Sequence, residues 1–289
     1  MNDADILDSR YSWSRLCIAL VMSLVGTVGM WVIILMLPDL QAEFGVNRAD
    51  ASLPYTGLMV GLAVGNMVFG RVVDRFGITK AMSSAALLVA SGMALSAISP
   101  SILVLSFVQF FVGLGTAASF GPLIADVSLW FLKRRGIAVA ITASGNYLAG
   151  AIWPVLLVGT LAEDGWRAVY ILLAIITLLV VIPLALVLRR QVPQAARDRA
   201  DQISNARAQA AGYSPLALAV LLGLAGLGCC MAMSMPQVHI VALCIDLGYG
   251  AVAGGQMLSL MLLGGVVSRL ISGLVADRLG GVKTLLIGS

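Results

Sequence analysis

Eight apolar runs, each long enough to cross a lipid bilayer, leave this chain few folds to choose from. They lie at about 14–38, 53–71, 81–99, 102–131, 136–161, 168–188, 215–243 and 251–275, and a ninth opens at Leu285-Leu286-Ile287 just before Ser289. A hydrocarbon core about 30 Å thick takes about 20 apolar residues in helical form. Helix is also the state in which one segment satisfies its own backbone groups in lipid. The chain therefore reads as an all-α polytopic membrane protein. With 60% hydrophobic and 11% charged residues, it lies far from the roughly 25% charged composition of soluble domains. The first run is too long for the apolar region of a signal peptide and lacks a small-residue cleavage site.

The basic residues set the expected orientation. When the connections are grouped alternately, one side holds Arg10 and Arg15, then Arg71, Arg75 and Lys80, then Lys133, Arg134 and Arg135. It continues with Arg189, Arg190, Arg197, Arg199 and Arg207, and ends with Arg278 and Lys283, fifteen of the 18 Lys and Arg. The other side holds Arg48 and Arg167, and Arg269 falls inside a run. This predicts a cytoplasmic N-terminus in a plasma membrane, and the Ala- and Gly-rich composition fits a bacterial inner membrane. The same asymmetry accounts for a pI near 9.0 without nucleic acid as a partner. Cys17, Cys229, Cys230 and Cys244 fall in or beside apolar runs with no paired spacing, and read as small packing residues.

Between the second and third runs stands Gly70-Arg71-Val72-Val73-Asp74-Arg75-Phe76-Gly77-Ile78-Thr79-Lys80. It returns as Gly273-Leu274-Val275-Ala276-Asp277-Arg278-Leu279-Gly280-Gly281-Val282-Lys283, at a constant offset of 203. Gly61 and Val64 pair with Gly264 and Val267 at the same offset. A motif repeated in the same place between apolar runs marks two related halves. The expected division is a six-helix N-terminal half at 1–188, a linker at 189–214 and the start of a second half at 215–289. The linker is rich in Arg, Ala and Gln, with Asp198 and Asp201, and reads as a solvated connection or a helix on the cytoplasmic surface.

The repeated G-x-x-x-D-R-x-G-x-x-K loop resembles the signature loop of the major facilitator superfamily. The resemblance covers essentially the whole chain. It implies a major-facilitator-type helix bundle, here a complete six-helix half plus about two helices of the second. Members have twelve spans, so the chain is expected to be C-terminally incomplete and inactive as this piece alone, with the full-length protein a monomer. Runs four and five resemble the monocarboxylate and oxalate/formate porter branch, through Gly113-Leu114-Gly115, Gly121-Pro122, Trp130-Phe131, Lys133 to Ala138, Gly145, Gly150, Pro154 and Gly165-Trp166-Arg167. There are departures. Gln109 stands where drug–proton antiporters carry Arg, and Gly265 where the branch commonly carries Asp. Gly26 to Trp31 keep only part of the branch's first-span signature.

Ionisable groups in hydrocarbon cost roughly 2.5–3.5 kcal/mol on insertion scales and tend to line a pathway. Asp126, His239 and Arg269 are the three expected inside the spans. Arg269 offers a planar fork that matches a carboxylate and keeps its charge. It reads as the anchor of an anionic substrate or as one side of a structural ion pair, and its place matches the cation of the carboxylate porters. Asp126 reads as a proton carrier, or as a gating or structural partner with Arg269 opposite. His239, after a helix-breaking Pro236, reads as a substrate or proton ligand, or as a hydrogen-bonded residue of the outer end. Asn146 and Tyr147 are polar groups of mid-span five, either pathway residues or packing residues. In the motif loops, Gly70, Asp74, Arg75, Gly77, Lys80, Asp277 and Arg278 read as a cluster that pairs across helices and breaks as the protein swings between states, or as a topology anchor with a tight turn.

These residues predict a secondary transporter of a small, monocarboxylate-like organic anion working by alternating access, with H+ as candidate co-substrate. The alternative is a porter of a neutral or cationic solute with Arg269 structural. An enzyme is not expected: there is no HExxH, no nucleophile elbow and no phosphate loop, and a single His makes a histidine metal site a poor reading. No cofactor is expected.

Overall fold

The computed structural model describes residues 7–190, 192, 194, 198, 202 and 214–288. The linker expected at 189–214 thus lies mostly outside the described residues. The described elements are helical: α1 Arg10–Gly26, α2 Val28–Phe44, α3 Arg48–Ala51, α4 Leu53–Phe76, α5 Ile78–Ala97, α6 Ile102–Thr116, α7 Gly121–Ser128, α8 Arg135–Val187, α9 Pro215–Asp246, α10 Gly250–Leu279 and α11 Gly281–Gly288. Among the described residues, seven helical stretches are long and apolar enough to cross a membrane. One of them, α8, has 53 residues and would reach about 80 Å if straight. Gly165 breaks it with φ 78 and ψ 174, into 135–164 and 166–187. Large apolar side chains such as Met67, Phe107, Leu179 and Leu260 stand on the outside. In water such patches would drive association; in lipid they meet a matching solvent.

Prolines act differently at different places. The first run does not end at Pro38. The proline sits inside α2, which continues to Phe44 and stops at Gly45 with φ 61. Pro236 likewise lies inside α9, so the expected break there is not present. At Pro122 the chain does break. Run four is α6, a short 3-10 turn at Ala117–Ser119, and then α7, with Phe120 at φ −122 and ψ −85 between them. A proline has no N–H to give to the preceding turn and tolerates the first positions of a helix, which is where α7 starts.

The first half is held together by close backbone approach. Gly57, Gly61 and Gly65 form one stripe of α4. A Cβ on any of them would run into the Ser106, Phe110 or Leu114 carbonyl of α6. Lipid tails are as apolar as leucine, so helices in a membrane associate through such van der Waals contact rather than hydrophobic expulsion. Behind this seam Met22, Trp31, Ile33, Met36, Leu58, Met82, Met93 and Leu105 are fully buried. α8 packs against α5, α1 and α10, and its first part meets α1 at Gly145 and Trp153 and α10 from Gly136 to Ala151.

One ionic contact closes the basic end of this half, and it corrects an expectation. Asp126 does not meet Arg269. Its carboxylate takes two hydrogen bonds from Arg15, Nε at 2.8 Å and Nη2 at 3.0 Å. Arg15 Nη1 donates to the Leu188 and Arg190 carbonyls at 3.3 and 3.2 Å, and the guanidinium lies over the Trp130 ring at 4.6 Å. Its side chain is 2% exposed. Asp126 lies in the last turn of α7 and Arg15 in the second turn of α1, so the pair sits near the basic ends of these helices. Arg15 reads in the sequence as one more basic flank, because nothing local reveals that its stem turns inward.

Replacing Gly61 by Leu forces α4 and α6 apart. Overpacking costs about 1–3 kcal/mol or more, so thermal unfolding in detergent drops by several degrees, while Met67→Leu on the outer face leaves it unchanged. Asp126→Asn leaves Arg15 buried without its counter-charge, a loss of about 3–5 kcal/mol. The double replacement Arg15→Met with Asp126→Leu recovers most of that loss in the same melting measurement.

Candidate functional site

The site is built where α10 crosses the first half of α8. Arg269 lies ten residues before Leu279, about 15 Å along the helix from its basic end. Its Nη1 donates to the Ala143 carbonyl at 2.8 Å. Its guanidinium carbon stands 3.8 Å from the centroid of the Tyr147 ring. A cation over an aromatic face is attracted by the ring quadrupole, more so when water is excluded. Among the described residues no carboxylate pairs with Arg269. A guanidinium has five N–H donors, and the Ala143 bond uses one of them.

Tyr147 is held in that position from three sides. Its hydroxyl donates to Met233 Sδ of α9 at 3.6 Å. Its ring presses on Gly265, where a Cβ would lie 2.8 Å from the ring. Gly265 and Arg269 are one turn apart on α10, so the missing side chain of one makes room for the ring on which the other rests. The absent acidic residue noted in the sequence is thus replaced by an aromatic surface supplied from α8.

Asn146 turns the other way. Its Oδ1 accepts from Trp31 Nε1 of α2 at 2.9 Å, and no contact joins it to Arg269 among the described residues. Gly150, one turn further, admits both Trp31 and Leu262, whose atoms would stand 2.6 and 2.5 Å from an added Cβ. Asn146 and Tyr147 are therefore neighbours in sequence that serve two seams, one to the first span and one to α10. Trp31 belongs to this constellation, and its indole N–H on a buried helix was the sequence signal for a polar partner.

His239 does not join Arg269. It lies seven residues before the end of α9, about 10 Å from the end opposite the basic face, whereas Arg269 is about 28 Å from the corresponding end of α10. His239 lines a cleft of about 510 Å³ together with Ile34, Pro38, Gln41, Arg48 and Asp246. At the rim Arg48 and Asp246 approach at 3.5 Å, both well exposed.

On the basic face the two motif copies share their backbone and differ in what they touch. Gly77 and Gly280 end α4 and α10 with φ/ψ of 83/163 and 85/157, and their N–H groups bond to Val73 and Ala276 at equivalent places. In the second copy Asp277 accepts from the Gly136 N–H at 2.6 Å and the Ile137 N–H at 2.9 Å. These are the second and third amides of α8, the ones a capping side chain normally takes. The residue at the cap position is Arg134, which makes no such bond. Asp277 therefore caps α8 from the other side of the seam, and its charge meets the positive end of the helix dipole. Gly273 allows this approach, since its missing Cβ would stand 2.6 Å from Ala140. Asp74, Arg75 and Lys80 do not show the expected pairing: no ion pair joins them to another described residue, Arg75 stacks on Phe76 at 5.4 Å, and Gly70 faces open space. Arg278 is exposed.

Known proteins resemble this arrangement. Residues 19–289 match the family model of the Major Facilitator Superfamily. An MFS-type transporter, pynF, of Aspergillus niger is 26% identical over 76% of this chain and 50% of its own length. A probable sulfoacetate transporter, SauU, of Cupriavidus necator is 27% identical over 49% of this chain and 33% of its own. Mouse monocarboxylate transporter 6 is 29% identical over 57% of this chain and 36% of its own. The chain spans about half the length, or less, of these relatives. Among solved structures, the proton:xylose symporter XylE superposes with a TM-score of 0.69 at 14% identity, covering 93% of this chain and 70% of that one. With a family model matched along nearly all of its length and the same helix bundle, the chain belongs to the Major Facilitator Superfamily of membrane transporters.

Proposed function

We propose that this transporter moves a small organic anion of the monocarboxylate kind by alternating access, and that Arg269 is the group that holds it. The observation that supports this most is a cation in mid-span whose expected counter-charge is engaged elsewhere. Asp126 belongs to Arg15, so the structural ion pair that would have explained Arg269 away is not made. A guanidinium resting on Tyr147 keeps donors for a carboxylate at a depth where charge without purpose is costly. Two of the relatives are named for sulfoacetate and monocarboxylate, which agrees with an anionic cargo.

In this reading residues 1–188 form one half and 215–289 begin the other, with the basic loops in the cytoplasm. Asp126 is a fastener of the first half rather than the proton carrier. The bond of Asp277 to the first turn of α8 is a latch between halves: it holds while the basic side is closed and parts when that side opens. His239, in the cleft at the opposite side, serves entry or release rather than the anchor. Asn146 shapes the pathway wall through Trp31.

The test uses the intact transporter in proteoliposomes and a panel of radiolabelled carboxylates. A hydrogen bond to a charged group is worth about 1.5–3 kcal/mol, so Arg269→Gln lowers uptake of the accepted carboxylate by about 10- to 100-fold. Arg269→Lys also loses most uptake, because an ammonium lacks the planar fork. Unchanged uptake in both variants rejects the anion reading and favours a neutral or cationic solute. Tyr147→Phe keeps the ring and the uptake. Tyr147→Leu removes the cation–π contact, about 0.5–2 kcal/mol, and raises the KM by roughly 3- to 30-fold in the same assay.

A further inference from the structure

We propose that Asp8 is a positioning residue for the latch between the halves: it clamps the loop before α8 so that the Gly136 and Ile137 amides stay presented to Asp277. The inference rests on the latch reading above. Asp8 is the one non-glycine residue among those described with positive φ, at 55°. Such a conformation is uncommon for a side-chain-bearing residue and persists where surrounding contacts determine it.

The contacts here are specific. The Asp8 carboxylate accepts from three successive backbone amides, Leu132 at 3.1 Å, Lys133 at 3.0 Å and Arg134 at 3.4 Å. Its own N–H donates to the Trp130 carbonyl at 3.1 Å. The following residues extend the clamp. Tyr11 packs on Trp130 and Trp13 on Phe131, each with ring centroids 5.2 Å apart.

Two carboxylates therefore divide the amides at the start of α8 between them. Asp8, from the N-terminal segment, takes 132 to 134. Asp277, from α10, takes 136 and 137. The division meets at Arg134, which gives its N–H to Asp8 and its carbonyl to the first helical turn through Ala138 at 3.1 Å. The loop carries Lys133, Arg134 and Arg135 in succession, whose charges repel one another. A carboxylate bonded to their amides offsets that repulsion and fixes the direction in which the helix begins. Without it the loop is free to rotate, and the two amides that Asp277 needs move with it.

The experiment measures opening on the basic face without any solute. The intact transporter, with its native cysteines replaced by serine, carries spin labels at Lys80→Cys and Lys283→Cys, exposed sites in the two motif loops. Distances between the labels are read by double electron–electron resonance in nanodiscs. Asp277→Asn and Asp8→Ala are each expected to raise the long-distance population at least threefold. In the Asp277→Asn background, Asp8→Ala is expected to add almost nothing, because two residues acting through one contact are not additive. A residue that merely stabilised the fold would shift both backgrounds alike, and that outcome overturns the proposal. So does an unchanged distribution in Asp8→Ala when Asp277→Asn has widened it. No change in Asp277→Asn itself overturns the latch, and this inference with it, while the anion assay stands apart. If Asp8→Ala fails to reach the membrane, Asp8→Asn keeps the shape, removes the charge and faces the same criteria.

Discussion

The seam between α8 and α10 depends on bringing two backbones together in a solvent that does not push them. Lipid offers no hydrophobic gain for joining two apolar helices, so contact must come from shape and from polar groups. Here glycine supplies the shape. Gly273 lets α10 reach the start of α8, Gly265 lets it accept the Tyr147 ring, and Gly150 admits Leu262 from the other side. The polar groups then fall into place along the same line, Asp277 on the amides of 136 and 137 and Arg269 on Ala143 and Tyr147. The proposed latch residue Asp277 and the proposed anchor Arg269 lie on one helix, eight residues apart. In the proposed cycle, movement of α10 at the basic face would reach the proposed cargo site along this one helix.

The fold was legible because the bilayer reduces it to length, hydropathy and charge asymmetry. The repeat at an offset of 203 has a structural counterpart in the matching φ/ψ of Gly77 and Gly280: each ends a helix in a conformation that a side chain would strain. Helix interruptions were less legible. Pro38, Pro122 and Pro236 look alike in the sequence, yet α2 and α9 run through their prolines while the fourth span breaks at its own. The difference lies in the surrounding packing, which no local pattern records.

Charge partners were the least legible part. Arg269 stands out in a chain with few charges inside its apolar runs, so its candidacy could be read directly. Its neighbours could not. Asp126 lies at a sequence distance that suggested comparable depth, but the break at Phe120 and the short α7 bring it to Arg15 near the start of α1. Arg15 was hidden among the flanking cations, because a long side chain can turn inward from the end of a helix. The cap that α8 lacks left only a weak trace in the sequence: Arg134 offers no side-chain acceptor for the first amides of the helix.

The contacts at the two faces differ in kind, and the proposed cycle gives that difference a kinetic meaning. Arg48 and Asp246 meet at 3.5 Å with both side chains exposed, a pairing worth at most about 1 kcal/mol. Opposite them, a carboxylate binds two amides at the head of a helix, each bond strengthened by charge. One door is a touch-latch, the other a bolt. Under the proposed alternating-access reading, this inequality predicts a carrier that rests shut toward its arginine-rich loops, with the release of that bolt timing the passage of cargo.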